Sequence, residues 1–335
     1  MISELDLKII HALQIAPRVT WDRLADVLAV SGPTLARHWE EMVIAGTAWV
    51  TPFPGPRYLE TGWSAFVYLS STPSTQEEIV KQLCADPAFA TVSLISGSHD
   101  LMVDCYAASY DALLRRLTES FAPLVGLTHR EVIFSTEIYR SAAEWRSKSL
   151  EPSQVRRLAA RPGAAGTRYS PDAVDIRLVE MLAVDGRASW VQLADACGVA
   201  PQTARRRIER VLASGQLSLR CDAAMELAAG QKEVTLLISI PATDVKAIGS
   251  YLASLPGCRL SAEILGTANM LVTMWVHDFV EVRELEVELG RRAPLLAVTS
   301  RHVTVRHYKR AGRLLDAQGK CSGRVPVPLW GELSE

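Results

Sequence analysis

The 335-residue sequence is poor in the features that most often announce a function by themselves. No apolar run approaches the roughly 18 residues that a membrane-crossing helix needs, so no membrane span is expected. The opening MISELDLKIIHAL carries two acids before any long apolar stretch, which reads as an amphipathic helix and not a signal peptide. Six cysteines (Cys84, Cys105, Cys197, Cys221, Cys258 and Cys321) include no CxxC pair. They are too sparse for a disulfide scaffold, and a reducing cytoplasm is the expected setting. The seven histidines offer no metal-ligand spacing, and His302 and His307, five apart in a strand-like stretch, are expected on opposite faces; no metal site is expected. Charge is balanced, with 36 Lys and Arg against 37 Asp and Glu. That excludes a polycationic nucleic-acid coat and an acidic tail, but leaves room for a local basic face. No Ser-His-Asp order, phosphate loop or paired-carboxylate motif stands out. The expectation is a protein that is not an enzyme, with no catalytic residues and no cofactor.

What the sequence does contain is itself, twice. Asp6, Arg18, Trp21, Leu24, Ala25, Asp26, Val30, Thr34, Glu40 and Gly46 fall on Asp175, Arg187, Trp190, Leu193, Ala194, Asp195, Val199, Thr203, Glu209 and Gly215, each pair 169 apart. The same offset carries Gly97 to Gly266, Val103 to Val272 and Tyr106 to Trp275. One register kept over a hundred residues points to a duplicated module of about 145 residues. The expected divisions are 1–55, 60–140, a linker at 141–169, 170–222, 230–310 and a tail at 311–335.

Each copy opens with helical spacing: Leu5, Ile9 and Leu13, matched by Val174, Leu178 and Leu182. A short second helix is expected from Thr20 to Ala29 and from Ser189 to Cys197, where Ser189 and Gln192 form a capping-box pattern. A third begins near Pro33 and Pro201 and ends at Gly46 and Gly215. Strand and helix then alternate as β-α-β-β-α-β, with helix starts expected at Ser74, Ser109, Thr243 and Asp278. The fold class is therefore α+β: two winged or helix-turn-helix domains, each followed by a ferredoxin-like βαββαβ domain whose free sheet face can pair with a second sheet.

This combination resembles the Lrp/AsnC family of transcription regulators. The resemblance rests on Asp6-Leu7-Lys8-Ile9-Ile10, Leu24-Ala25-Asp26, Ser31-Gly32-Pro33-Thr34 and the Gly97-x-x-Asp100 turn. Their counterparts are Asp175-Ile176-Arg177-Leu178, Leu193-Ala194-Asp195, Pro201-Gln202-Thr203 and Gly266-x-x-Asn269. The resemblance implies double-stranded DNA as partner, a small effector such as an amino acid, and a homo-oligomer, dimeric or larger. Tetrapyrrole decarboxylases of the sirohaem type resemble the same family in fold and are the alternative reading.

In the third helices, Leu35, Trp39, Met42 and Val43 are expected to be buried, as are Ala204, Ile208, Val211 and Leu212. The positions left for DNA are Pro33, Thr34, Arg37 and His38 in the first, and Gln202, Thr203, Arg205, Arg206, Arg207 and Arg210 in the second. Residues 1–55 hold Lys8, Arg18, Arg23 and Arg37 against six acids, so the first copy is expected to read DNA more weakly. The linker arginines Arg156, Arg157, Arg161 and Arg168 read as solvated. The resemblance makes the two turns effector contacts, through Gly97, His99, Asp100, Gly266 and Asn269. Trp21, Trp39, Trp190, Tyr106 and Trp275 are expected in the core.

Overall fold

The computed structural model describes residues 2–159, 169–224 and 230–330. Its first half runs α1 (Glu4–Ile15), α2 (Trp21–Leu28), α3 (Gly32–Ile44), β1 (Ala48–Pro54), β2 (Trp63–Ser71), α4 (Gln76–Ala85), β3 (Phe89–Ile95), β4 (Leu101–Ala107), α5 (Tyr110–Glu119) and β5 (Leu127–Arg140). Helix α6 (Pro152–Leu158) follows, inside the stretch read as linker. The second half repeats the order: α7 (Ala173–Val184), α8 (Trp190–Cys197), α9 (Pro201–Ala213), β6 (Leu217–Ala223), β7 (Lys232–Ser239), α10 (Val245–Ser254), β8 (Cys258–Leu265), β9 (Met270–Val276), α11 (Val280–Arg292) and β10 (Ala297–Arg310). Two short strands, β11 (Arg313–Leu315) and β12 (Cys321–Arg324), close the described chain. The fold is α+β, with two helix-turn-helix units and two ferredoxin-like sheets, as expected. Among the described residues no helix is long and apolar enough to cross a membrane.

Local chemistry sets the helix ends. Ser3 and Asp172 cap α1 and α7 in capping boxes, and Thr20, Ser31 and Ser189 accept from backbone N–H groups at the starts of α2, α3 and α8. Pro33 and Pro201 sit in first turns, where an N–H would have no helical partner. Two expected caps are corrected. The N-cap of α4 is Thr75, and its hydroxyl is engaged with Thr72 instead of the helix. The N-cap of α11 is Phe279, but the Asp278 carboxylate still accepts from the N–H groups of Val280 and Glu281.

The two sheets join through their longest strands. The first part of β5 pairs with β2 and its end pairs with β8; β10 pairs first with β7 and then with β3. The circuit β10-β3-β4-β2-β5-β8-β9-β7 returns to β10, so these eight strands leave no open edge among themselves. Phe66, Tyr68, Ile133, Leu237, Ile264 and Leu271 are buried between the sheets. Helices α4 and α5 cover the outside of one, and α10 and α11 the outside of the other. Bulges in β10 at Thr304/Arg306 and His307/Lys309 shift the strand's alternation. His302 packs on Tyr68 and His307 lies beside Phe66, so both turn to the side between the sheets, which corrects the expectation of opposite faces.

The helix-turn-helix units clasp one another reciprocally. The Arg18 guanidinium donates to the Gly186 and Ala188 carbonyls (2.9 and 2.7 Å) and stacks on Trp190. Arg187 donates to the Pro17 and Val19 carbonyls (2.6 and 2.9 Å) and stacks on Trp21. Trp21 and Trp190 are thus half-buried faces of a cation–π clasp and not core residues, whereas Trp39 is buried. Strands β1 and β6 pair antiparallel beside the clasp, with Thr51 opposite Arg220 at the centre. Residues of the stretch read as linker join this body: Gln154 and Arg157 donate to the Val27 and Asp26 carbonyls of α2. Arg161 and Arg168 lie outside the described residues.

Candidate nucleic-acid interface and ligand chamber

Helix α9 turns Ala204, Ile208 and Val211 inward, which leaves Gln202, Arg205, Arg206 and Arg210 exposed along its outer side. Arg206 has no side-chain partner among the described residues. Arg205 pairs with Glu209 one turn on (2.8 Å), and Arg210 lies 5.9 Å over the Tyr169 ring. Thr203 is half-buried. Arg207 is held between Asp172 (2.7 Å) and Asp175 (3.0 Å), so it ties α9 to the start of α7.

Helix α3 presents a poorer surface. Pro33 and Arg37 are exposed, but Arg37 pairs with Glu41 (2.7 Å). Thr34 shares a hydrogen bond with Ser31, and His38 with Asp6 (2.7 Å). His38 and Asp6 occupy the positions that Arg207 and Asp175 hold in the second half, so this pair is a helix-to-helix tie used twice. Leu35, Trp39 and Met42 are buried as expected, but Val43 is 46% exposed and so does not belong to the stripe. Leu212 is half-buried.

In the two turns, Asp100 accepts from the Ser71 N–H (2.8 Å). Asn269 accepts from the Ile240 N–H (2.9 Å) and donates to the Ile240 carbonyl (2.7 Å). Gly97 adopts φ +106°, and a Cβ there would lie 2.8 Å from the His302 ring. His99 packs against His129, His302 and Tyr68, with Glu131 3.9 Å away; burial lowers its pKa. Gly266 faces Ile133.

A large cavity lies elsewhere, between α1, the segment 145–149, the end of β6, and the outer side of the second ferredoxin-like unit. It measures about 800 Å³. Its walls are mainly apolar, with Ile10, Leu236, Met274 and Val282 among them, and Trp145 and Trp275 meet edge to face inside it. Arg259, only 5% exposed, stacks on both indoles (4.9 and 4.2 Å from the ring centroids). Beyond it, Arg310 donates to the Ala223 carbonyl, while its Nε and Nη1 have no hydrogen-bond partner among the described residues. One carboxylate, Asp222, faces three guanidinium groups: Arg220 at 2.7 Å, Arg259 at 3.8 Å and Arg310 at 3.9 Å. Burial and the neighbouring Arg220 pull the Arg259 pKa down to about 9. Burial would raise the pKa of Glu233, but His307 and the hydrogen bond from the Trp275 indole hold it well below the usual range.

Sequence reasoning placed Trp275 in the core; it is a chamber wall. It missed Trp145, Arg220, Arg259 and Arg310 altogether. The available signal was the arginines set among apolar strand residues, in LSLRCDA and CRLSAEIL.

Residues 172–211 match the AsnC-type helix-turn-helix domain. No curated protein matches the sequence. Among solved structures, the siroheme decarboxylase NirDL, both free and in complex with an iron-uroporphyrin III analogue, is similar over 92% of this chain and 93% of its own. The TM-scores are 0.57 and 0.56, at 14% identity. Escherichia coli AsnC is similar over 41% of this chain and 94% of its own (TM-score 0.36, 18% identity). The NirDL finding corrects the expectation of a non-enzyme. The fold shared across nearly the whole chain is one on which an enzyme is built, so missing motifs do not argue against catalysis here.

Proposed function

We propose that this chain is a DNA-binding regulator of the Lrp/AsnC kind. Its DNA-reading units lie at 1–55 and 170–222, and its response to a small effector, such as an amino acid, comes through the sheets at 60–140 and 230–310. The observation that carries this reading is the AsnC-type match at 172–211, whose α9 turns Gln202, Arg205, Arg206 and Arg210 to solvent. Arginine and glutamine on the outer face of such a helix are suited to guanine and adenine edges in the major groove. Selection of binding sites from random duplexes by the full chain should enrich one sequence. Affinity for it should fall steeply as salt rises, because phosphate contacts release counterions. Failure to enrich any sequence over unselected DNA at low salt counts against the reading.

A second reading, decarboxylation of a tetrapyrrole, is favoured by the fold shared over 92% of this chain with NirDL, which is a siroheme decarboxylase. Incubation with sirohaem followed by absorbance and product mass tests it: loss of carboxylate mass supports decarboxylation, and unchanged substrate removes this reading.

A further inference from the structure

We propose that the chamber is a binding site for an amphipathic carboxylate: a single carboxylate set against Arg259 and Arg310, carried on an apolar or aromatic body that lies between Trp145, Trp275, Met274 and Val282. This inference does not depend on α9 meeting DNA.

The floor of the chamber is short of negative charge. Asp222 is shared among three buried guanidinium groups. Glu233 is the next acid, and its oxygens already serve Trp275, Thr304 and His307. Arg310 therefore keeps two donors unused in a buried position, and Arg259 reaches Asp222 only at 3.8 Å, the rest of its guanidinium lying against the two indoles. Buried cations that share one carboxylate at that distance are costly, and a second carboxylate placed between these side chains supplies both charge and acceptors.

The rest of the chamber limits what that carboxylate is attached to. Above the arginines the walls are apolar and aromatic, which suits a ligand body that leaves water. The volume of about 800 Å³ exceeds what a free amino acid fills. The outer wall, formed by α11, carries Glu281, Glu284 and Glu288; Glu288 pairs with Arg292 (2.8 Å) and Arg291 (3.6 Å) and Glu281 lies 3.3 Å from His277, which leaves Glu284 as the acid without a charged partner among the described residues. A ligand with carboxylates all around its edge would bring some of them against this acidic wall, where like charges oppose binding. One acid group at the buried end is what the charge layout accepts.

Isothermal titration of the full chain with dodecanoate, dodecan-1-ol and uroporphyrin III, each below its aggregation threshold, tests the proposal. Dodecanoate should bind one per chain, at least tenfold more tightly than the alcohol, and uroporphyrin III more weakly than dodecanoate. Arg259→Gln and Arg310→Gln should each narrow the gap between dodecanoate and the alcohol at least tenfold. Equal affinity of acid and alcohol for the wild-type chain, no binding of either, or tighter binding of uroporphyrin III would overturn it. The wild-type comparison of acid with alcohol needs no variant, so a variant that fails to fold leaves the test intact.

Discussion

At the place equivalent to the chamber, the first half of the molecule is full. Trp275, Arg259 and Arg310 have Tyr106, Ala90 and Ser141 as their counterparts 169 residues earlier. Around Tyr106 the chain packs Tyr58 and its own C-terminal segment. The Tyr58 hydroxyl donates to the Ala107 and Leu329 carbonyls, Arg116 donates to the Tyr106 and Pro328 carbonyls, and Leu329 is buried. One half carries surplus cations around empty space; the other carries small and aromatic residues around an occupant covalently attached to the chain. The same backbone plan therefore yields a chamber or a core according to a few side chains.

The largest effect should come from emptying the filled side. Deleting residues from Pro326 onward exposes the apolar surface under Leu329, worth about 1.5–3 kcal/mol, and removes two hydrogen bonds of roughly 0.5–1.5 kcal/mol each. Urea unfolding should show a loss of about 3 kcal/mol. A loss under about 1 kcal/mol would mean that the segment merely lies on the surface.

The helix-turn-helix units differ in the same lopsided way. Arg206 on α9 stands free of partners among the described residues, while Arg37 on α3 is paired with Glu41, and Glu40 beside it is exposed. Arg206→Ala should weaken binding to a selected duplex by about 2 kcal/mol at fixed salt, and Arg37→Ala by under about 0.5 kcal/mol. Equal losses in gel shifts would mean that both helices read DNA alike.

A pH difference sharpens the contrast. On α1, His11 is buried and accepts the Leu150 N–H through Nδ1; the equivalent residue on α7 is the exposed Glu180. Burial, helped by Arg146, pulls the His11 pKa down to about 4, against 6.5 in an unfolded chain. Between those values the unfolded chain binds a proton that the folded chain refuses. The stability contribution is therefore complete above about pH 6.5 and is lost as pH falls towards 4. Lowering the pH from 7 to 5 should cost about 2 kcal/mol through this residue, and His11→Gln should flatten that part of the profile. An unchanged profile in the variant would assign the pH dependence elsewhere.

Periodicity, caps and the 169-residue offset made the elements of each half legible, because they depend on residues close in sequence. Sheet closure was only half legible: a free sheet face was visible, but not that β5 and β10 are long enough to serve both sheets. The bulges that bury His302 and His307 together depend on the partner strand and leave no mark in a two-residue period. The chamber was not legible, since α1, residues 145–149, β6, β9 and α11 meet only after folding. The α9 face was readable because one helix carries it entirely.

The arginine floor itself can be tested for strain. Arg259→Met keeps the stem between the two indoles and removes a buried charge whose carboxylate neighbour, Asp222, is 3.8 Å away, while Asp222 retains Arg220 and Arg310. Replacing such a charge by an apolar group is commonly neutral or stabilising, so urea unfolding without added ligand should show a gain of about 1 kcal/mol. A loss of that size would make Arg259 a structural residue.

The smallest effect concerns the two turns. Asp100 only accepts, from Ser71 N–H; Asn269 both accepts from and donates to Ile240, the residue equivalent to Ser71. Asn269→Asp keeps the acceptor and strengthens it by charge, but it loses the donor and sets a carboxylate oxygen where that donor met the Ile240 carbonyl. The lost bond and the repulsion outweigh the gain, so the variant should be less stable by about 0.5–1 kcal/mol. Asp100→Asn retains an acceptor for Ser71 N–H and should change stability by less than about 0.5 kcal/mol. If both variants lose the same amount, the asymmetry between the halves does not extend to these turns. If only Asn269→Asp does, the second turn is pinned by its side chain more firmly than the first.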